Sequence, residues 1–328
     1  MFYTFRISFI FTLPKTLLLN NLARQNFSQF TVVVRSAGER TTQACKNLVI
    51  NEISEEQVHI IQLTPFEEAL RESYRIGLKS GREWLITIDA DVLPRKGFMK
   101  KMAVFSSEVG KNVFSFKAMV YDQFFLKHRL AGFRVYRCSM LEEALTLVPA
   151  NGQEIRPEQF TVNKMKQRGY KTKIFEYVVG LHDFEQYNKD IYRKAYFHAT
   201  KHPDLVAENM SYWKSKSNTD EDFKVMIKGA VDGLLSKDNP KADIRFFENL
   251  AQRALEDLNM AEKPSLNTDI EFKIEKTLEE YGLFFKGHSL TAAKKRMDKY
   301  GFIKGAAHHI GFILEATGKS LRKKIENR

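Results

Sequence analysis

The chain has 328 residues, 43% hydrophobic and 28% charged, which is enough for one sizeable core with an accessory region and excludes a disordered protein. A formal net charge of +12 favours anionic partners, but no zinc-finger spacing or other nucleic-acid motif is present, so phosphorylated small molecules and phospholipid headgroups rank above nucleic acid. The two cysteines, Cys45 and Cys138, sit in no CxxC or metal-type cluster; this excludes a disulfide scaffold, suits a reducing, cytoplasmic setting, and leaves both as small core residues.

Residues 1–28 read as an N-terminal extension. Met1–Leu22 is apolar, yet Pro14 and Lys15 interrupt it and no small-residue cleavage site follows. It falls short of the roughly 20 unbroken apolar residues of a spanning helix. It is expected to pack on the domain or touch a membrane surface. Phe30–Arg35 is then a β-branched run that ends in the turn Ser36–Arg40. A helix follows over Thr41–Ile53, and Val58–Leu63 is a second short strand. Thr64 as cap, Pro65 at the first helical position and Glu67 and Glu68 in the first turn start a helix over Phe66–Lys79, which Gly81 closes. Trp84–Ile88 is a third strand, stopping at Asp89. Strand–helix alternation of this kind implies a parallel sheet whose ligands bind beyond the carboxyl ends of the strands.

A helix over Phe98–Val109 and a strand over Asn112–Val120 come next; Phe124–Val148 has no clear period. Phe160–Gln167 is helical and closes on Gly169-Tyr170, and Lys173–Val179 is a strand that runs into His182-Asp183. Beyond His202-Pro203 the pattern turns to long polar helices, broken at Asn239-Pro240 and Lys263-Pro264. The chain therefore divides into an α/β domain over residues 29–203 and a helical C-terminal region over residues 204–328. A last helix over Phe302–Ile325 gathers its apolar residues on one face and basic ones elsewhere; it reads either as a solvated face or as a contact with a membrane surface. His308 and His309 are adjacent, splay around the helix, and read as surface residues.

The chemistry centres on Asp89-Ala90-Asp91. Two carboxylates one residue apart at a strand end point the same way, because side chains alternate along an extended chain, and they repel unless a cation joins them. Oxygen ligands suit Mg2+ or Mn2+, which bridge carboxylates to substrate phosphates and offset the charge of a departing diphosphate.

Thr31–Ser36, Val58–Ile61, Arg71–Gly77 and Ser80–Asp91 together resemble the front half of a GT-A glycosyltransferase, most closely the family 2 type, over about Phe30–His202. The resemblance implies a Rossmann-like, mostly parallel sheet with helices on both faces, and transfer of a sugar from a nucleotide-diphosphate donor to a hydroxyl of a glycan or lipid-linked glycan, at the inner membrane face if peripheral. By the same resemblance Arg35, Ser36 and Glu39 line the nucleotide site, Arg75 contacts the donor, Asp89 lies near the ribose or the metal, and Asp91 binds the metal directly. His182 matches a late histidine that serves as a further ligand of Mn2+ or Mg2+, and Asp183 after it is expected to cap a helix starting at Phe184. Glu158, at the start of the helix that ends in Gly169-Tyr170, matches the general base of inverting members; Pro157 stands where an acid is common, Glu154 is the alternative, and retention stays open. The acidic Asp-Asp-Gly-Ser stretch common after the second strand is replaced by Gln62–Phe66, which leaves the base of the nucleotide undefined.

Two other readings compete. A phosphatase of the haloacid dehalogenase type also ends a strand in Asp-x-Asp, but there the strand opens the fold, and Leu93 stands where a Thr or Val is usual. A non-catalytic nucleotide-sugar-binding module on the same fold is the second.

Overall fold

A computed structural model describes residues 27–154, 156–236, 244–266 and 270–284. The extension Met1–Leu22, the Asn239-Pro240 break, His308-His309 and the basic helix expected over Phe302–Ile325 lie outside the described residues. Those up to Glu275 fall in one compact unit; of a second, Lys276–Arg328, only the first residues are described, and they are helical.

Strand β1 (Phe30–Ser36) is buried along its whole length, as an apolar run covered on both faces requires. It pairs in parallel with β2 (Val58–Gln62) on one side and β3 (Trp84–Asp89) on the other. Helix α1 (Thr42–Ile50) links β1 to β2, and α2 (Phe66–Lys79) links β2 to β3. The first turn of α2 carries Glu67 and Glu68 as expected, but Pro65 itself is the cap residue, one place later than the sequence suggests, and Thr64 makes no capping bond. Gly81 has φ +66°, the left-handed conformation expected after the helix. Gly77 lets α2 lie close: a Cβ there would stand 2.6 Å from Leu141 Cδ1 and 3.1 Å from Leu85 Cδ2.

The second half adds β4 (Val92–Pro94), α3 (Phe98–Glu108), β5 (Val113–Asp122), β6 (Lys127–Arg129), β7 (Phe133–Arg137), α4 (Leu141–Thr146), α5 (Pro157–Gln167) and β8 (Lys171–His182). The sheet order is β2-β1-β3-β7-β5-β8-β4, with β6 beside β5. Strands β1, β2, β3, β5 and β8 share one direction, and β4, β6 and β7 run against them. The α/β class with a mostly parallel sheet and a helical region after it is therefore the observed one. Strand β7 hides in the sequence because it holds Arg134 and Arg137 yet is buried throughout. Arg137 is accommodated by Glu83 at 2.8 Å and by the Trp84 ring, 4.1 Å below its guanidinium.

Helices α6 (Asn188–Lys201), α7 (Pro203–Lys216), α8 (Asp222–Leu235) and α9 (Ile244–Asp257) share one apolar core with Phe124 and Phe125 from the end of β5. Helix α10 (Glu271–Phe284) follows. Cys45 and Cys138 are buried free thiols, as expected, and burial pushes both up, Cys138 to about 12. Gly229 and Gly233 bring α8 against α6: a Cβ at either would stand 2.5 Å from the carbonyl oxygen of Tyr192 or Tyr196. Alanine in place of a helical glycine normally gains up to about 1 kcal/mol. Here backbone is in the way, and overpacking costs about 1–3 kcal/mol. Gly233→Ala is thus expected to lower the melting temperature, and a rise in a thermal melt would refute the contact.

Candidate active site

The carboxyl ends of β1 and β3 lie side by side, with Arg35 in register with Asp89. Arg35 is buried and donates Nε to Asp89 Oδ1 at 2.8 Å. Its Nη1 donates to Glu158 Oε1 at 3.0 Å, which also accepts Tyr136 OH at 2.7 Å, while Arg134 Nε donates to Glu158 Oε2 at 3.2 Å. Burial alone would raise the Glu158 carboxyl, but Arg134, Arg35 and Lys117 overcome it and hold it far below the usual carboxylate range. Burial, together with Arg134, in turn brings Lys117 down to about 8. Glu158, expected as the general base, is therefore the anion of a buried cationic cage, a poor proton acceptor near neutral pH.

After β1 the chain makes a compact loop. Ser36 Oγ and the Ala37 N–H both donate to Glu39 Oε2, at 3.0 and 2.7 Å, and the Gly38 N–H donates to Ser36 Oγ at 3.0 Å. Burial and nearby Asp91 push the Glu39 carboxyl up. This loop and the Asp89–Asp91 turn meet through backbone, with the Ala90 N–H donating to the Arg35 carbonyl at 2.8 Å. Arg75 is not brought here. It lies on the outer side of α2, 45% exposed, beside Glu72 at 3.3 Å. Arg75→Ala is expected to leave stability within about 0.5 kcal/mol, as for an exposed substitution; chemical denaturation measures it.

Asp89 and Asp91 do not grip one point. The chain leaves the extended form at Ala90, so strand alternation no longer aligns the two side chains. Asp89 turns to Arg35; burial, with Asp91 and Glu158 nearby, keeps it above the usual range despite that guanidinium. Asp91 turns to the end of β8 instead. Its Oδ2 accepts Lys194 Nζ at 2.7 Å, and its Oδ1 stands 3.8 Å from His182 Nε2. Burial would raise Asp91, but Lys194 and His182 hold it below the usual range.

His182 is the hinge of this group. Its Nδ1 lies 3.2 Å from Asp122 Oδ2 and 3.0 Å from Asp183 Oδ2. A ring nitrogen between two carboxylates carries the proton, which leaves Nε2 aimed at Asp91. Asp122, fully buried at the end of β5, is fixed by the Phe124 and Phe125 N–H groups on Oδ1, at 3.1 and 2.9 Å, and by Arg129 on Oδ2. Burial disfavours the imidazolium, yet Asp183 and Asp91 prevail and raise the His182 pKa well above the ordinary histidine value. Asp183 does not cap a helix. With φ +61° it turns the chain, its N–H donates to the Asp91 carbonyl at 3.1 Å, and α6 begins only at Asn188. Its Oδ1 accepts Lys194 Nζ.

One ligand atom each from Asp91, His182 and Asp183 lies within 4.8 Å of the others. Asp91 Oδ1 is buried without a hydrogen-bond partner. An acceptor left in that state costs stability unless a cation reaches it. Two carboxylates and an imidazole suit Mn2+ or Mg2+, and the proton on Nδ1 held by Asp122 is the support that metal-binding histidines usually have. These residues fit a divalent ion; Asp89 does not join them. No local pattern in the sequence marks Asp122, Arg134 or Lys194.

No family model matches the chain, and no curated protein matches it. Similar solved structures include A197 from STIV, at 15% identity and TM-score 0.31 over 45% of this chain and 81% of that one. A glycosyltransferase involved in the glycosylation of the major capsid of PBCV-1 is similar at 16% identity and TM-score 0.33, over 45% of this chain and 81% of that one. A cytidylyltransferase from Leptospira borgpetersenii overlaps at 7% identity and TM-score 0.32, over 46% of this chain and 77% of that one. At such scores the likeness bears on neither substrate nor reaction.

Proposed function

We propose that the protein is a metal-dependent glycosyltransferase acting on a nucleotide-diphosphate sugar, with a glycan or lipid-linked glycan hydroxyl as acceptor. The observation that carries this reading is Asp91 Oδ1, buried without a partner and facing His182 Nε2 at 3.8 Å, at the carboxyl ends of the sheet. Small divalent ions bond oxygen and nitrogen at about 2.0–2.2 Å, so one ion spans that separation. Asp91, His182 and Asp183 would hold Mn2+ or Mg2+, which when bound supplies positive charge for the departing diphosphate.

The chain's own side chains do the rest. Asp122 keeps the proton on His182 Nδ1. Arg35 holds Asp89 in place, and the Ser36–Glu39 loop follows it in the chain; the nucleotide would lie beside them. Glu158 holds Arg35 and Arg134 in place instead of taking a proton from the acceptor. Among the described residues no helix is long and apolar enough to cross a membrane.

Thermal melts with a panel of nucleotide sugars test the donor. At ligand concentrations of 100 Kd the native state gains about 2.7 kcal/mol, a rise of roughly 5–10 °C. One nucleotide sugar is expected to give that rise with Mn2+ and much less with chelator. No response to any of them, or a trapped phosphoenzyme on Asp89, would sink the reading.

A further inference from the structure

Lys194 stands where a cation belongs. It projects from α6, far in sequence from the Asp89–Asp91 turn, and its side chain is only 17% exposed. Its Nζ bridges Asp91 Oδ2, at 2.7 Å, and Asp183 Oδ1. Those are two of the three residues whose ligand atoms cluster here. Two carboxylates this deeply placed need counter-charge, and in the described structure Lys194 supplies it together with His182. An ammonium and a divalent ion on the same pair of carboxylates repel each other at short range in a site poorly screened by water. Asp91 Oδ1 stays open to a metal while Lys194 holds Oδ2, but an ion seated there lies beside the ammonium, so its binding is favoured by the ammonium moving off. Lysine suits a removable role: its charge is a single point on a flexible four-carbon stem, where arginine would lock both acids with a planar fork.

We propose that Lys194 is an internal placeholder cation, which holds Asp91 and Asp183 together and gives way when a divalent ion binds. This rests on the proposed metal site and adds to it a competitor carried by the protein itself. The ion thus binds in exchange for an ammonium, and its affinity is set below what the three ligands alone would give.

Mn2+ binding to the full chain, followed by electron paramagnetic resonance, tests this. Lys194→Met is expected to bind Mn2+ at least about tenfold more tightly than the wild type. Removing the lysine also leaves two acids uncompensated, so the variant is to be handled with Mn2+ present, and a second measurement uses the wild type alone. An amine-reactive reagent followed by peptide mass spectrometry should label Lys194 several-fold faster with saturating Mn2+ than without it. If the wild type binds Mn2+ but neither the variant's affinity nor the labelling changes, the placeholder is refuted and the metal site stands. If neither protein binds Mn2+, the metal site fails and takes the placeholder with it.

Discussion

Asp91→Asn is expected to lower sugar transfer by roughly 100- to 1,000-fold and to weaken Mn2+ binding in step, while the protein still folds. The change keeps the shape of the side chain and removes its charge. Lys194 retains Asp183 as a partner, so no ammonium is stranded. What goes is the carboxylate that carries the buried acceptor beside His182. Losing an electrostatic contact of that kind at a reacting centre costs about 2.7–4 kcal/mol in the barrier, which is the stated factor. Steady-state kinetics at saturating donor should place the loss in kcat. A variant with wild-type turnover and wild-type Mn2+ affinity would end the metal-dependent reading.

Glu158→Gln should show itself first in stability. Three donors, Arg35, Arg134 and Tyr136, converge on this carboxylate, and its side chain is 18% exposed. Removing one partner of a buried ion pair costs about 3–5 kcal/mol, which corresponds to a fall of roughly 10 °C or somewhat more in the melting temperature. The pH dependence has a definite sign. The folded-state pKa lies below the ordinary value of 4.5, so the contribution is fully present above about pH 4.5 and is lost as pH falls through the folded-state value. Chemical denaturation of both proteins should therefore show a wide stability gap at neutral pH that narrows on acidification below about pH 4.5. A glutamine variant that melts like the wild type at neutral pH would refute the cage.

Much of the frame was legible because it rests on runs that admit few alternatives. Phe30–Ser36, Val58–Gln62 and Trp84–Asp89 are apolar stretches between turn signals, and the second of the helices between them carries an acidic first turn. The location of the chemistry was legible for the same reason: Asp89 and His182 end strands and Asp91 stands just past one, at the edge where parallel sheets bind ligands. The internal arrangement of the site was not. Alternation predicted that Asp89 and Asp91 would aim at one ion, but it applies only while the chain stays extended, and it turns at Ala90. Asp183 looked like a cap because an acid precedes an aromatic residue; left-handed backbone at Asp183 and Glu185 delays the helix instead. Lys194 sits among Lys189, Arg193 and Lys201, and in sequence it is one more charge on a polar helix face. Only the packing of α6 against the sheet end turns it inward. Arg134 and Tyr136 were hidden by a strand whose buried charges break the apolar pattern, and their partner, Glu158, lies on a different element.

The pair of glycines in α8 has a kinetic consequence. With Tyr192 and Tyr196 carbonyls resting where side chains would otherwise be, α6 has little room to slide or tilt toward α8. Departure of the Lys194 ammonium from its two acids is then a rotation about side-chain bonds, not a rigid-body excursion of the helix. Loading of the ion should accordingly show no concentration-independent phase after mixing in a stopped-flow instrument, such as a slow rearrangement of whole elements would add.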